Sequence, residues 1–282
     1  MKKILAGIAI AVTAIVSASP ANAAAGNSIK IDGVTVVSDA KPETKSGRTM
    51  VPLRVVGENL GAQVNWANSE VTLTKDEKKI VLKPGSDTSV IDGANVKLDA
   101  PAYVSHSRVY VPLRFIAEAF GSKVDYADST VTIATAPLVI NGGKVAALQQ
   151  EFHMTMGGIV QQVKGNAYNE AIYELFQDNL GDKVAAPENY SWLVMAYEPG
   201  IYYKNGQYDF LDDKGNSLKR YDIYSTDTSN PEKSKEYPGY LVHDFSEDQW
   251  YLFSQAAEQA IAQRIGAADS NGFLTLISNT IV

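Results

Sequence analysis

With three histidines, no cysteine, a surplus of acidic residues and a tyrosine-rich second half, the chain has few ways to do chemistry. The absence of cysteine removes thiolate nucleophiles, disulfides and lipid attachment at an N-terminal Cys. His106, His153 and His243 are isolated from one another, and no H-x-H pair occurs. His243 beside Asp244, with Glu247 and Asp248 close by, has the residue types of a general base and its orienter. Neighbours on a strand point to opposite faces, however, and acidic residues also favour helix N-termini through the dipole. Ser246-Glu247-Asp248-Gln249 reads as a capping box opening a helix that runs to about Ile265 and stops at Gly266, with Trp250, Phe253, Ala257 and Ile261 as its buried stripe. No G-x-S-x-G is present, and no Ser-x-x-Lys lies in a setting that suits a nucleophile. Asp212-Asp213-Lys214-Gly215-Asn216 resembles part of a calcium loop but lacks the alternate-position ligands and the terminal Glu, so it reads as a turn. No metal or cofactor is expected. For binding, the residues singled out are Tyr202, Tyr208, Trp192 and Trp250, aromatic rings able to stack on a sugar or peptide. Tyrosine is also a good strand former, and the structural reading of these rings is the stronger.

The elements that position these residues begin with a stretch written twice. Val51-Pro52-Leu53-Arg54 continues to Glu58, Gly61, Val64 and Trp66; Val111-Pro112-Leu113-Arg114 continues to Glu118, Gly121, Val124 and Tyr126, 60 positions later. Ile31-Asp32-Gly33 matches Ile91-Asp92-Gly93, and Asp39-Ala40 matches Asp99-Ala100. Between Arg48 and Thr74 about a dozen of 27 positions equal their partners. Such a period marks one structural unit used twice, and two copies are too few for a solenoid, so one shared core is expected. Asp32-Gly33 is a hairpin-turn dipeptide. Pro52 and Pro112 suit the start of a helix, and Gly61 and Gly121 its end. Leu53, Val56 and Leu60, like Leu113, Ile116 and Phe120, make an apolar stripe. Val64 and Trp66, then Val71 and Leu73, read as paired strands turning at Asn68-Ser69, with Asp128-Ser129 as the second copy's turn. Arg54 with Glu58, and Arg114 with Glu118, stand at i and i+4 and read as helix-side ion pairs more than as a binding pair.

This doubled V-P-L-R-x-x-x-E-x-x-G-x-x-V-x-W/Y pattern, preceded by I-D-G, resembles the copper amine oxidase N-terminal-like, or stalk, domain over residues 28–135. The resemblance implies a small module of antiparallel strands around short helices. It implies an accessory part carrying no chemistry, common in exported proteins of spore-forming Gram-positive bacteria. Amine oxidation itself is rejected, because the three copper histidines and the quinone-forming tyrosine have no counterparts: at Asn189-Tyr190 a serine, Ser191, stands where an acidic residue is expected.

Ahead of the repeat, Lys2 and Lys3, the apolar run Ile4 to Val16 and Ala21-Asn22-Ala23 have the layout of a signal peptide over residues 1–23. The run is shorter than the roughly 20 residues of a membrane span. Its removal takes the formal charge from −7 to −9. An acidic chain without a Lys/Arg cluster argues against nucleic acid and anionic lipid as partners. No membrane insertion is expected once the signal is cleaved.

After Gly142-Gly143 a second α+β domain is expected over residues 144–282, a β-meander with flanking helices. Lys144–Lys164 fits helix and strand equally. Asn169–Leu180 reads as a helix stopped by Gly181. Trp192, Val194 and Ala196 alternate, and Asn205-Gly206 between Tyr203 and Tyr208 signals a type I′ hairpin. Thr226–Pro238 reads as an exposed loop and Phe273–Val282 as a terminal strand.

The fold class expected is therefore α+β. The function expected is that of a secreted, non-catalytic envelope or extracellular protein, wall-associated, with the stalk-like domain as a binding or spacing module, residues 144–282 as an interaction domain, and cell-wall polymer or another extracellular protein as partner. The alternative is an extracellular hydrolase with its active site in residues 144–282.

Overall fold

The computed structural model describes residues 28–127, 130–192, 198–229 and 237–281. The signal segment expected over 1–23, the turn at Asp128-Ser129, and Val194 and Ala196 lie outside these residues. Asp32 and Gly33 both take positive φ, 51° and 83°, as the two central positions of a type I′ turn require. They join β1 (Ser28–Ile31) to β2 (Val34–Thr35). A second hairpin, β3 (Glu43–Lys45) and β4 (Arg48–Pro52), leads directly into α1 (Leu53–Asn59). Pro52 ends the strand and caps the helix in an extended conformation, where its missing N–H costs nothing. Gly61, at φ 90°, follows the C-cap, and Ala62 donates back to the Gly57 carbonyl at 2.9 Å.

The chain continues through β5 (Gln63–Ala67), β6 (Glu70–Lys75), β7 (Lys78–Leu82), β8 (Thr88–Ile91) and β9 (Ala94–Lys97), an antiparallel meander. Next come β10 (Tyr103–Ser105), β11 (Arg108–Pro112), α2 (Leu113–Ala119), β12 (Lys123–Ala127) and β13 (Thr130–Ala134). β11 pairs antiparallel with β4, so that β10, β11, β4 and β3 form one sheet. β13 pairs in parallel with β1, which brings residues 28–31 beside residues 130–133.

Beyond a small hairpin of β14 (Val139–Ile140) and β15 (Gly143–Lys144), the ambiguous stretch resolves into β16 (Ala147–Met154) and β17 (Gly157–Val163). α3 (Asn166–Asn179) follows, then β18 (Lys183–Val184), β19 (Asn189–Ser191), β20 (Ile201–Leu211), β21 (Ser217–Ser225), β22 (Tyr240–Asp244), β23 (Gln249–Phe253), α4 (Gln255–Ser270) and β24 (Leu274–Asn279). These strands form a nine-stranded sheet in the order β18-β23-β22-β21-β20-β16-β17-β24, with β19 beside β20. Against it lies α3, with Phe176 stacked on Tyr221 of β21 at 4.5 Å, and α4 packs on α3, β17 and β24. The described residues thus form an α+β structure.

Three expectations are corrected. Asn205-Gly206 is not a hairpin turn: β20 runs unbroken through it, and the pairing with β21 skips Asn205 as a bulge. Ser246–Gln249 does not open a helix but turns β22 into β23, and Trp250 and Phe253 lie on that strand. The helix starts two turns later, capped by Ser254, whose hydroxyl accepts from Ala257 N at 3.0 Å. It passes through Gly266 and ends at Ser270, before Gly272 at φ 86°.

One buried apolar cluster runs through the whole of this structure and includes Ile31, Leu53, Ile116, Phe176, Ile265 and Phe273. Polar contacts join its two ends. The Asp32 carboxylate accepts from Thr135 N and from Asn166 N at the start of α3, at 2.8 and 3.0 Å. Tyr168 of α3 donates its hydroxyl to the Asn59 side-chain carbonyl at 2.7 Å and accepts from Asn271 Nδ2 at 3.1 Å.

Candidate functional site: twin clefts beside the repeated helices

The repeated arginines and glutamates face each other along their helices, Arg54 to Glu58 at 3.7 Å and Arg114 to Glu118 at 3.7 Å, all with exposed side chains. Taken alone, such pairs contribute only about 0.3–0.5 kcal/mol. Their surroundings give them more. Arg54 and Glu58 line a cleft of about 570 Å³ with Pro52, Leu53, Trp66, Asp39 and Arg108. Arg114 lines a second cleft of about 360 Å³ with Pro112, Leu113, Tyr126, Arg48 and Asp99.

Every residue named for the second cleft has its counterpart in the first at the 60-position offset, whereas Glu58 lines the first cleft without Glu118 lining the second, and each cleft draws on both stretches. Arg108 forms an ion pair with Asp39, and Arg48 Nε lies 3.3 Å from Asp99, so the second pair repeats the first with partners exchanged. The antiparallel pairing of β4 with β11 makes this exchange possible, because it lays the strand start carrying Arg108 beside the helix start carrying Arg54.

Each cleft also holds a large ring in the open. Trp66 is 50% exposed and Tyr126 45% exposed, at matching ends of β5 and β12. The Arg114 guanidinium lies over the Tyr126 ring, 5.2 Å from its centroid. Burial raises the Tyr126 hydroxyl pKa above the usual phenol value, and Arg114 opposes that rise. An aromatic platform fenced by guanidinium donors and carboxylate acceptors is equipped to hold a polar ligand.

The aromatic residues singled out in the second half are placed differently. Tyr202, Tyr208 and Trp250 are each only 3% exposed, and only Trp192 of that set, at 55%, is open to solvent. Tyr208 packs edge-on to Phe176, and burial pushes its hydroxyl up to about 12. Tyr202 donates to the Pro238 carbonyl at 2.6 Å, and burial likewise pushes it to about 12. Trp250 stacks on His243 with centroids 4.6 Å apart. These rings fill sheet interior, so they are unavailable for stacking on a ligand.

The acidic cluster is also tied into structure. Asp244 points to Lys219 at 2.5 Å, with Glu247 on the same ammonium at 2.9 Å. Lys219 gives Glu247 a lowered carboxyl pKa through that hydrogen bond. His243 Nε2 meets Asp248 Oδ1 at 3.0 Å, across the turn, while the neighbouring Asp244 faces the other side of the strand. Asp212 closes its own turn, accepting from Lys214 N, Asn216 N and Asn216 Nδ2. Among the described residues no three of His, Cys, Asp and Glu gather as a metal site, and His106, His153 and His243 stand on separate strands or turns.

The doubled motif, the helices it starts and stops, and the exchanged clefts all fall within one stretch. Residues 30–135 match the copper amine oxidase N-terminal domain family. The match ends at residue 135. The chain is similar to the primary amine oxidase of Klebsiella aerogenes, 28% identical over 103 residues, which is 36% of this chain and 13% of that enzyme. It is also similar to a protease inhibitor of Brevibacillus choshinensis, 29% identical over 132 residues, 46% of this chain and 40% of that protein. The matched stretch thus spans less than half the length of either relative.

Asp39, Arg48, Trp66 and their partners are not evident as a site from sequence, where Trp66 and Tyr126 read only as strand positions. The available signal is their strict recurrence: Asp39 with Asp99, and Arg48 with Arg108, keep their type across the offset although both pairs are exposed.

Proposed function

We propose that this chain is an exported, non-catalytic binding protein of the cell envelope, in which the copper amine oxidase N-terminal domain is the binding module. Residues 1–23 act as its signal peptide. Residues 28–135 are two copies of one unit related by a local two-fold axis, and residues 144–282 form a second domain that serves as an interaction module. The observation that carries the reading is the pair of matching clefts, each lined by an open aromatic ring, an arginine of the same copy and an ion pair that bridges the two copies. Further support is that His243, Asp244, Glu247 and Asp248, the cluster with the residue types of a base and its orienter, are held in ion pairs and a ring stack.

The partner proposed is cell-wall polymer or another extracellular protein. Co-sedimentation of the full chain with purified wall tests this. Retention in the pellet, with the polymer chemically unchanged, is expected; a chain that stays in the supernatant, or that releases fragments from the wall, contradicts it.

A second reading, an inhibitor of an extracellular protease, is favoured by the similarity to the Brevibacillus choshinensis protein, which is longer than the domain match alone. Residual activity of secreted proteases titrated with the chain separates the two: stoichiometric loss of activity supports the inhibitor.

A further inference from the structure

We propose that each cleft takes a sugar ring of a neutral glycan, stacked on Trp66 in one and on Tyr126 in the other; this rests on the reading of the domain as a binding module. The balance of charge points to it. Arg54 faces Glu58 and Arg108 faces Asp39, so the four groups of the Trp66 cleft sum to zero. In the Tyr126 cleft Arg48 faces Asp99, and Arg114 faces Glu118, which stands outside the cleft lining. An anionic polymer entering either cleft must displace a carboxylate already on its guanidinium, within a chain of net charge −7.

What the clefts leave free suits a polyhydroxylated ring. The open ring is an apolar platform, and around it stand guanidinium donors and carboxylate acceptors, two of each in the Trp66 cleft and two arginines with Asp99 in the Tyr126 cleft. A pyranose has an apolar C–H face and hydroxyls that both donate and accept, so it meets both parts. Volumes of about 570 and 360 Å³ lie within the usual range of small-ligand sites, about 300–1,000 Å³. Arg114 already covers part of Tyr126, whereas no cation is stacked on Trp66 among the described residues, so the Trp66 cleft is the stronger of the two. A polymer engaging both gains avidity that a short oligosaccharide lacks.

The test is calorimetric titration of the full chain with neutral oligosaccharides cut from purified wall glycan, and separately with the wall's anionic phosphate polymer. The chain is expected to bind the neutral sugars with an affinity that holds from low salt to about 0.5 M, since uncharged ligands are not screened. Trp66→Ala is expected to lower that affinity about ten- to hundredfold. Tyr126→Ala should lower it less, and the double variant should abolish binding while melting like the wild type. Binding to wall that is indifferent to both substitutions, or that falls steeply with salt and follows the phosphate polymer, overturns the sugar clefts but leaves the binding module standing. No binding to any wall fraction overturns both.

Discussion

Val51 lies opposite Val111 in the antiparallel pairing of β4 and β11, and the two are the same position of the repeated stretch. On either side Met50 meets Pro112 and Pro52 meets Tyr110, equivalents with partners exchanged. The ladder thus pairs one position of the repeated stretch with its own counterpart. Both valines are fully buried, so the pair sits in core rather than at the surface.

Leu53→Ala and Leu113→Ala therefore strike equivalent sites in one core. Each is expected to cost about 2–5 kcal/mol. Because the two stretches share a ladder, either substitution should lower the protection of both in hydrogen exchange. Loss confined to the substituted stretch would contradict the shared core.

Gly57 and Ala117 are the one helix position where the copies differ in this revealing way. A Cβ at Gly57 would stand 2.8 Å from Leu73 Cδ2 and 3.2 Å from Val64 Cγ2. The counterpart of Leu73 is Ile133, and there Ala117 fits, fully buried. Helix propensity alone predicts that Gly57→Ala stabilises by about 1 kcal/mol. Overpacking should reverse the sign, giving a net loss of about 1 kcal/mol or more. Adding Leu73→Ile should recover it, as urea unfolding of the single and double variants will read.

Tyr168→Phe removes the hydroxyl that joins Asn59 of the N-terminal domain to Asn271 beyond α4. The Asn59 side-chain carbonyl loses its buried donor, at an expected cost of about 1–3 kcal/mol. A change below about 0.5 kcal/mol in the same measurement would show that the contact contributes nothing to joining the two parts.

Alkaline stability follows from the buried tyrosines. Burial pushes Tyr202 and Tyr208 up to about 12, and raises Tyr168 as well. A folded-state pKa above the unfolded value of about 10 means that this stabilisation is complete below pH 10. It is lost as pH rises towards 12. Phenolate absorbance should show the exposed tyrosines titrating first and the buried ones only as the fold melts. Titration of all of them together near pH 10, with the fold intact, would refute this.

Local signals were legible where one interaction decides the backbone. Asp32-Gly33 turned as read, because both positions must take positive φ; Pro52 and Gly61 bounded α1 because one lacks an N–H and the other accepts φ 90°. The resemblance carried by the doubled motif likewise held. Asn205-Gly206 misled because β20 is paired with β21 on both sides of the bulge and with β16 from Gln207 to Leu211, and those ladders outweigh a two-residue turn preference. Trp250, Tyr251, Leu252 and Phe253 misled because β23 is buried on both faces, Trp250 with Tyr202 and Tyr224, Tyr251 in the main core. A strand of that kind is a continuous apolar run, and continuing into Ala257 it mimics a helix stripe. The clefts were illegible for a different reason: Asp39 and Arg108 stand 69 positions apart, and only the crossing of β4 and β11 brings them together.

The most direct test of the central claim is co-sedimentation with purified cell wall of the wild-type chain beside the Trp66→Ala/Tyr126→Ala variant. The account predicts that the wild type pellets, that the wall is recovered chemically intact, and that the folded double variant stays in solution. Equal pelleting of both proteins, or soluble fragments cut from the wall, would contradict it.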